Sequence, residues 1–395
     1  MAGTAAASKP SSAIPHHAPS LSLPPSQFAR LQPHAYLLAH LSPPPSSNQP
    51  SIRANGRAPS QFRVTSANAG SLTHTNGSAV VRIGDTAAVC GVRAEILHTE
   101  DIAAWGVSAS SSAVKKRKAG DTTDGIDEED DSQLRDFNLL VPNLSLSTGC
   151  APGFIPGAAP STLAQSLSHE LLSLLHTSRL VRAEDLRIWH QQPDFLSLDR
   201  HNEEEQMETD ENSQESSKRE IKAFWVLYID VMIISLAGNP FDAAWAAVLA
   251  ALQDTKLPKA WWDLDNEIVV CSDKLSEAKK LTLRGMPVAS SYSVFEADAA
   301  ASWRAVVIPD MDQEKDQAEK VAGKRWILAD PDAFEENLCQ ERACVVVDKD
   351  AAGKTKIVKL EKNGGLAVDK DELRKLVELS TQRWEQIKTI LERLK

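Results

Sequence analysis

The 395-residue sequence predicts an α+β fold, mixed sheets with helices packed against them. Three observations carry that expectation. The stretch Thr73–Glu95, THTNGSAVVRIGDTAAVCGVRAE, holds two runs rich in Val, Ala and Thr. They are bounded by Asn76-Gly77 and Gly84-Asp85, pairs that tolerate the positive φ of tight turns. The apolar run Ala223–Ser235 leads into Asn239-Pro240, a pair suited to opening a helix. Near the C-terminus, Leu373, Leu376, Val377, Leu379, Trp384, Ile387, Leu391 and Leu394 recur at helical spacing between charges.

In chain order, residues 1 to about 25 are Ala, Ser, Pro and His and are expected to be a disordered tail. Ser26–Leu41 reads as a short helix with Phe28, Leu31, Leu37, Leu38 and Leu41 on one face, its start broken by Pro33. The Pro-rich Ser42–Pro50 cannot continue it. Ser78–Ile83 and Thr86–Glu95 pair as strands, with His74 beside a turn and Cys90 a small buried hydrophobe. Asp136–Leu146 reads as extended. Thr162 to Gln165 fits a capping box, followed by a stripe of Leu163, Leu167, Leu171, Leu174 and Leu175. Ala223–Ser235 is a buried strand, with Asp230 a strand-end polar residue. The helix Phe241–Gln253 is apolar nearly all round and belongs inside the fold, with Asp242 at its positive dipole end. Short strands are expected at Ile268–Cys271, Leu281–Pro287, Ser291–Phe295, Ala305–Ile308, Trp326–Ala329 and Ala343–Val347. Gly364-Gly365 marks a turn, and a long helix runs from about Asp369 to Leu394. Three polar or charged stretches, at about 106–132, 200–220 and 310–324, lack the apolar residues to offset ordering entropy. They read as flexible insertions in a single domain spanning 26–395.

Composition narrows the function. Hydrophobic residues are 42% and charged residues 25%, which is ordinary for a soluble globular protein. A formal net charge of −11 argues against a free-standing nucleic-acid binder. The five cysteines form no CxxC pair, and Cys339 and Cys344 have no further ligands at zinc spacing; a reduced intracellular protein without a structural metal is expected. The N-terminus has no apolar signal region, and the longest apolar run, Ala223–Gly238, is short and interrupted by Asp230. Lys115, Lys116, Arg117 and Lys118 stand out in the first insertion. They read as a nuclear-import signal or as a solvated charge run.

An ordered set of short motifs resembles the RNase PH-like family. Arg53-Ala54-Asn55-Gly56-Arg57, Phe62-Arg63, and Gly77 to Thr86 are similar to its "RPDGR…FR" lead-in and "GSA" double strand, with Ala54 and Asn55 departing from the lead-in. Val89 to Ile96, VCGVRAEI, looks like the eukaryotic exosome ring branch. Val141-Pro142-Asn143, Trp225 to Asp230, Gly238-Asn239, Asp242-Ala243, Ala250 to Pro258, Met286 to Phe295 and Ile327 to Glu336 continue the pattern, so that order and spacing hold over roughly residues 34 to 394 apart from the insertions. The resemblance implies a fold like domain 2 of ribosomal protein S5. It implies pairing with other RNase PH-like subunits into a six-membered ring around an RNA channel. It further implies cap proteins with S1 and KH domains on one face and a nuclease on the other, a place in nucleus, nucleolus and cytoplasm, and a role in 3′–5′ RNA processing and degradation that includes rRNA maturation; by the same resemblance Lys115, Lys116, Arg117 and Lys118 are candidates for contacts to RNA phosphates.

Active members of that family cleave RNA by phosphorolysis, which needs basic and hydroxyl donors for phosphate and a carboxylate as acid or metal ligand. Aligning Gly238 with the last glycine of the family's "ADxGTRT" element puts Leu236 where the Asp belongs. Asn239 and Pro240 then stand in place of Thr and Arg. Leu cannot transfer a proton, and Pro lacks a backbone donor. The Arg-rich phosphate and RNA motif of active members corresponds to Gly149–Pro160, and no Lys or Arg occurs from Asp136 to Ser178. The expectation is a non-catalytic ring subunit with no cofactor and no metal. The alternatives are an active phosphate-dependent 3′–5′ exoribonuclease and a free RNA-binding protein.

Overall fold

The computed structural model describes residues 24–43, 49–103, 105, 123–155, 157, 159–191, 219–297, 324–339, 341–350, 352–365 and 370–394. The tail before residue 24, the tetrad Lys115–Lys118, the expected strand Ala305–Ile308 and nearly all of the expected insertions at 200–220 and 310–324 lie outside them. The chain divides into two compact units, residues 1–58 and 59–395, where the sequence predicts one domain from residue 26. The proline-rich stretch after Leu41 lies inside the first unit, which ends at Ala58. That unit holds helices α1 (Pro25–Leu31) and α2 (Pro33–Leu41), with Pro33 at the first position of the second helix. A turn follows in which the Arg53 N–H donates to the Arg57 carbonyl at 2.8 Å.

The second unit carries two main sheets. Strands β1 (Thr65–Ala69), β2 (Gly77–Ile83), β3 (Thr86–His98), β4 (Leu140–Leu146), β5 (Arg187–Gln191) and β6 (Arg219–Ser235) form the first, in the order β1-β2-β3-β6-β4, with β5 also paired to β6. Only the β4–β6 pairing is parallel. Two small ribbons join β7 (Lys256–Leu257) to β10 (Lys279–Lys280), and β8 (Ala260–Asp263) to β9 (Ile268–Cys271). The second main sheet is antiparallel, in the order β12 (Arg325–Ala329), β11 (Val288–Glu296), β13 (Glu341–Lys349), β14 (Thr355–Asn363). The helices are α3 (Thr123–Asp136), α4 (Thr162–Ser178), α5 (Ala183–Leu186), α6 (Pro240–Asp254), α7 (Ala333–Leu338) and α8 (Lys370–Glu392).

Helix α6 is the centre of the core. Every residue from Phe241 to Leu252 is buried, because α6 touches β1, β2, β3 and β6 on one side and β11 on the other. That is the geometry its all-round apolar surface requires. Helix α8 covers the other face of the second sheet, where the Tyr292 hydroxyl meets Ser380 Oγ at 2.7 Å and Trp384 Nε1 donates to the Met286 carbonyl at 2.8 Å.

Four local expectations change. Gly84 does take positive φ, +58°, but Gly77 does not. A Cβ on Gly77 would lie 2.4 Å from Thr255 Oγ1 and 2.6 Å from the Ala251 carbonyl oxygen, so close approach of α6 demands this glycine. The cap of α4 is Ser161 rather than Thr162: its side chain accepts from the Ala164 N–H at 3.2 Å. The expected strand Leu281–Pro287 is a connection. Three of its N–H groups go to separate parts of the chain, Leu281 to the Thr255 carbonyl, Arg284 to the Leu180 carbonyl and Met286 to the Asp348 carboxylate. Finally, the expected insertion at 106–132 ends in the helix α3. Asp130 and Asp131 are buried there against Arg187, Arg284 and Arg179. Trp105 and Phe137, on either side of that stretch, stack edge-on at 5.8 Å, and both contact the Phe224 ring.

Candidate functional site

The loop from β6 into α6 carries Leu236, Asn239 and Pro240, the positions that the sequence aligns with the family's catalytic element, and the fold brings them beside the second aligned stretch. The Leu236 N–H donates to the Cys150 carbonyl at 3.0 Å, and the Ser147 N–H donates to the Ile233 carbonyl at 2.9 Å. So Leu236 and the Gly149–Pro160 loop are neighbours. What they frame is apolar: Leu236 packs against the hydrophobic core, and Cys150 is buried.

Asn239 is spoken for by the fold. It sits at φ +50° as the N-cap of α6, its Oδ1 accepting from the Asp242 N–H at 3.4 Å. Its Nδ2 donates to Asp242 Oδ2 and to Asp330 Oδ1, both at 2.8 Å, and its backbone N–H donates to Glu336 Oε1 at 2.8 Å. Pro240, at the first helical position, brings no N–H. A helix N-terminus is a ready anion site, but here the protein's own carboxylates Asp242, Asp330 and Glu336 occupy it. An incoming phosphate would meet negative charge, and donors already engaged.

The Arg63 side chain closes this cluster from below. Its Nε donates to Asp330 Oδ2 at 2.8 Å and its Nη2 to Asp330 Oδ1 at 2.7 Å, a bidentate pair. The same guanidinium donates to the carbonyls of Ala237 at 3.0 Å and Gly238 at 3.2 Å. Thr86 adds a hydroxyl bond to the Gly238 carbonyl at 2.7 Å. Gly238 has φ +90°, and a Cβ there would lie 2.4 Å from the Ala333 nitrogen, so α7 seals the loop from outside. Asp242 also accepts from the Ser291 hydroxyl at 2.7 Å and the Ser291 N–H at 2.9 Å, tying α6 to β11. Arg383 of α8 reaches the Thr65 hydroxyl and lies over the Phe62 ring at 5.0 Å.

The electrostatics follow from burial and pairing. Burial pushes the Asp242 carboxyl up, with Asp330 adding to it, and burial likewise raises Glu336. Burial would raise Asp330 too, but the hydrogen bonds and charge of Arg63 outweigh it and hold the carboxyl below its ordinary range. Burial pulls Arg383 down. Every polar group in this cluster is turned towards another part of the chain; it is a clamp that joins β1, the β6–α6 loop, β11, β12 and α8.

Cys90 is fully buried in the sheet, and burial pushes its thiol up. Asp230 lies within β6, not at its end, with Arg93 Nε at 3.6 Å and Asn143 Nδ2 at 3.4 Å. Among the described residues no group of three His, Cys, Asp or Glu is placed to hold a metal, and no helix is long and apolar enough to cross a membrane. The sequence missed Arg63 and Asp330 as partners. Both lie in the quoted family motifs, but nothing local signals that residues 267 apart in sequence form a salt bridge.

These features define an α+β protein with two main sheets, whose central helix is capped by Asn239 and ringed at its N-terminus by the protein's own carboxylates. The family model for domain 1 of the 3′ exoribonuclease family, RNase PH, matches residues 61–258, and the chain belongs to that family. The exosome complex component rrp43 of Schizosaccharomyces pombe is 29% identical over 364 residues, covering 92% of this chain and 97% of that protein. The exosome complex component Rrp42 of Methanothermobacter thermautotrophicus is 25% identical over 223 residues, 56% of this chain and 59% of that one. In fold, the chain resembles a chain of the Archaeoglobus fulgidus exosome with RNA bound to the active site. The TM-score is 0.53 at 19% identity, covering 92% of this chain and 97% of that one. An archaeal exosome core chain gives a TM-score of 0.50 at 17% identity, covering 94% and 99%.

Proposed function

We propose that this chain is a non-catalytic ring subunit of an RNA exosome, supporting 3′–5′ RNA processing and degradation, rRNA maturation included. The observation that carries this is the N-terminus of α6. There the family's chemistry needs phosphate donors and a free carboxylate. This chain has Leu236 against the core, Asn239 bonded to Asp242 and Asp330, and Pro240 without an N–H. Likeness to rrp43 over nearly the full length of both chains supports ring membership. Its partners are then other RNase PH-like ring subunits, S1/KH cap subunits, the associated nuclease, and RNA threading the assembled channel. Its places are the nucleus, nucleolus and cytoplasm, and it needs no cofactor. Lys115, Lys116, Arg117 and Lys118 serve either transient RNA phosphate contacts or import.

The test is the mass of the native complex together with a phosphate-dependent RNA decay assay on the same sample. Ring-sized mass without nucleoside diphosphate release from this subunit is expected. Release that depends on this chain would establish the alternative, an active phosphorolytic exoribonuclease. Changing Lys115–Lys118 to Ala should weaken RNA engagement of the assembled complex in a salt-dependent way. Unchanged RNA affinity with loss of nuclear localisation would assign the tetrad to import.

A further inference from the structure

The sequence holds three Asn-Gly pairs, at Asn55, Asn76 and Asn363. In such a pair the glycine nitrogen can attack the asparagine side chain, because no Cβ hinders the approach. The fold treats the three differently. Asn76 is held at both ends of its amide: Oδ1 accepts from the Ala94 N–H at 2.8 Å, and Nδ2 donates to the Lys256 carbonyl at 3.2 Å. Its neighbour Gly77 is buried at the start of β2, under Thr255 and Ala251. Asn55 is exposed, but its Oδ1 accepts from the Arg57 N–H at 3.1 Å, and the Gly56 nitrogen donates to the Arg53 carbonyl at 2.9 Å. Asn363 ends the edge strand β14. It is exposed together with Gly364 and Gly365, whose φ values are +77° and +69°. Its Nδ2 donates to Glu361 Oε1 at 3.2 Å on the surface, and among the described residues the Gly364 N–H has no acceptor. The end of an edge strand is where fraying is easiest, and fraying lets the nitrogen reach the amide.

We propose that Asn363 is a self-modification site, converting to aspartate and isoaspartate while Asn55 and Asn76 persist. The Gly364 nitrogen attacks Asn363 Cγ, the Cγ–Nδ2 bond breaks, and the proton of that nitrogen leaves with the amide as ammonia. Water then opens the five-membered imide at one of its two carbonyls, giving aspartate or isoaspartate; no oxidant or cofactor takes part. The product sets a carboxylate where Nδ2 had donated. It faces Glu361, whose hydrogen bond from Lys359 holds that carboxyl below its ordinary range. Isoaspartate also lengthens the main chain by a methylene at the last pair of the β13–β14 register, Arg342 with Asn363. This turn encloses a buried charge. Lys362 Nζ donates to the Gly364 carbonyl and meets Glu341 Oε1, both at 2.8 Å. Glu341 is 3% exposed and is also paired with Arg325 Nη2 at 2.6 Å. A Cβ on Gly365 would collide with the Glu341 carboxylate. Modification at Asn363 therefore loosens Lys362 from Glu341 and releases this end of β14 from β13. The site stands whether or not the chain is a ring subunit.

The test incubates the full natural chain at mildly alkaline pH and follows each Asn-Gly peptide by mass spectrometry, with a sample in urea as the unfolded reference. In the folded chain Asn363 should be modified roughly tenfold or more faster than Asn55 or Asn76, while in urea the three rates converge. Asn363→Gln, whose longer side chain cannot close the five-membered ring, should stay intact with unchanged Tm. Hydrogen exchange reads the consequence: the amides of residues 358–363 should exchange roughly fivefold or more faster in Asn363→Asp than in the natural chain. Asn363 as persistent in the folded chain as Asn76, or Asn55 modified first, overturns the assignment of the site. Unchanged exchange in both Asn363→Asp and the aged natural chain overturns the release of β14.

Discussion

The Arg63 guanidinium is shared between the Asp330 carboxylate and the carbonyls of Ala237 and Gly238. Removing either ionic partner leaves a buried charge alone, which costs about 3–5 kcal/mol. Asp330→Asn should therefore lower Tm sharply at neutral pH. Its pH dependence has a definite sign. The native Asp330 carboxyl is held below its ordinary range. Its contribution is complete above about pH 4 and is lost as pH falls through the folded value. The gap in stability between the native chain and Asp330→Asn should be widest near pH 7 and shrink on acidification. A constant gap in urea titrations from pH 7 to pH 3 would refute this. Leu236→Asp is the complementary residue-scale case. Restoring a carboxylate should not restore phosphorolysis, since Asn239 and Pro240 still deny phosphate its donors, and one lost donor alone costs about 10²–10³ in rate. Diphosphate release by the variant, assayed with its ring neighbour, would refute that. At this scale the residue types at Leu236, Asn239 and Pro240 are read directly from the sequence, because chemistry is a property of residue type. The partners of Asn239 are not, because Asp330 and Glu336 lie 91 and 97 residues further along the chain.

Helix α6 shows how capping and tertiary contacts compete. By cap preference alone Asn239→Asp should be neutral, for Asp is as good an N-cap as Asn. In this fold the Nδ2 donor lies between Asp242 and Asp330. Replacing that donor with another acceptor sets three carboxylates together. We expect a loss of more than about 2 kcal/mol at neutral pH, partly recovered on acidification, measured by chemical denaturation. Gly77→Ala is a steric test of the same helix at its other end. The glycine's φ is ordinary, but the added methyl would lie 2.6 Å from the Ala251 carbonyl oxygen, and overpacking should cost about 1–3 kcal/mol. Strands and helices with a strong period were legible: β2, β3, β6, α4, α6 and α8 fall where periodicity puts them. Those that were missed owe their state to distant partners. The acidic residues of α3 read as a solvated run until Arg179, Arg187 and Arg284 surround them. Strand β14, TKIVKLEKN, carries Lys356, Lys359 and Lys362, the charges of an edge strand, and so reads as surface.

At the scale of the whole molecule, the fold places its two sheets on either side of one apolar helix and then locks them through a few buried polar bonds. The fold class was legible because patterning decides layers. The division at residue 58 was not, because it depends on which segments touch. The lock also has a consequence in time. Its bonds from Arg63 to the β6–α6 loop and to Asp330 span 174 to 267 residues. During synthesis from the N-terminus, Arg63 and the β6–α6 loop emerge long before Asp330 exists to receive them, and closing so long a span is slow. Bonds of that kind belong to the last stage of folding, after the barrier. Arg63→Lys, which gives up the bidentate geometry, should therefore quicken unfolding by tenfold or more while leaving the refolding rate nearly unchanged. Stopped-flow refolding and unfolding across a urea series would show it: a slowed refolding limb would mean that the ends of the chain meet early, and that the nucleus spans the molecule.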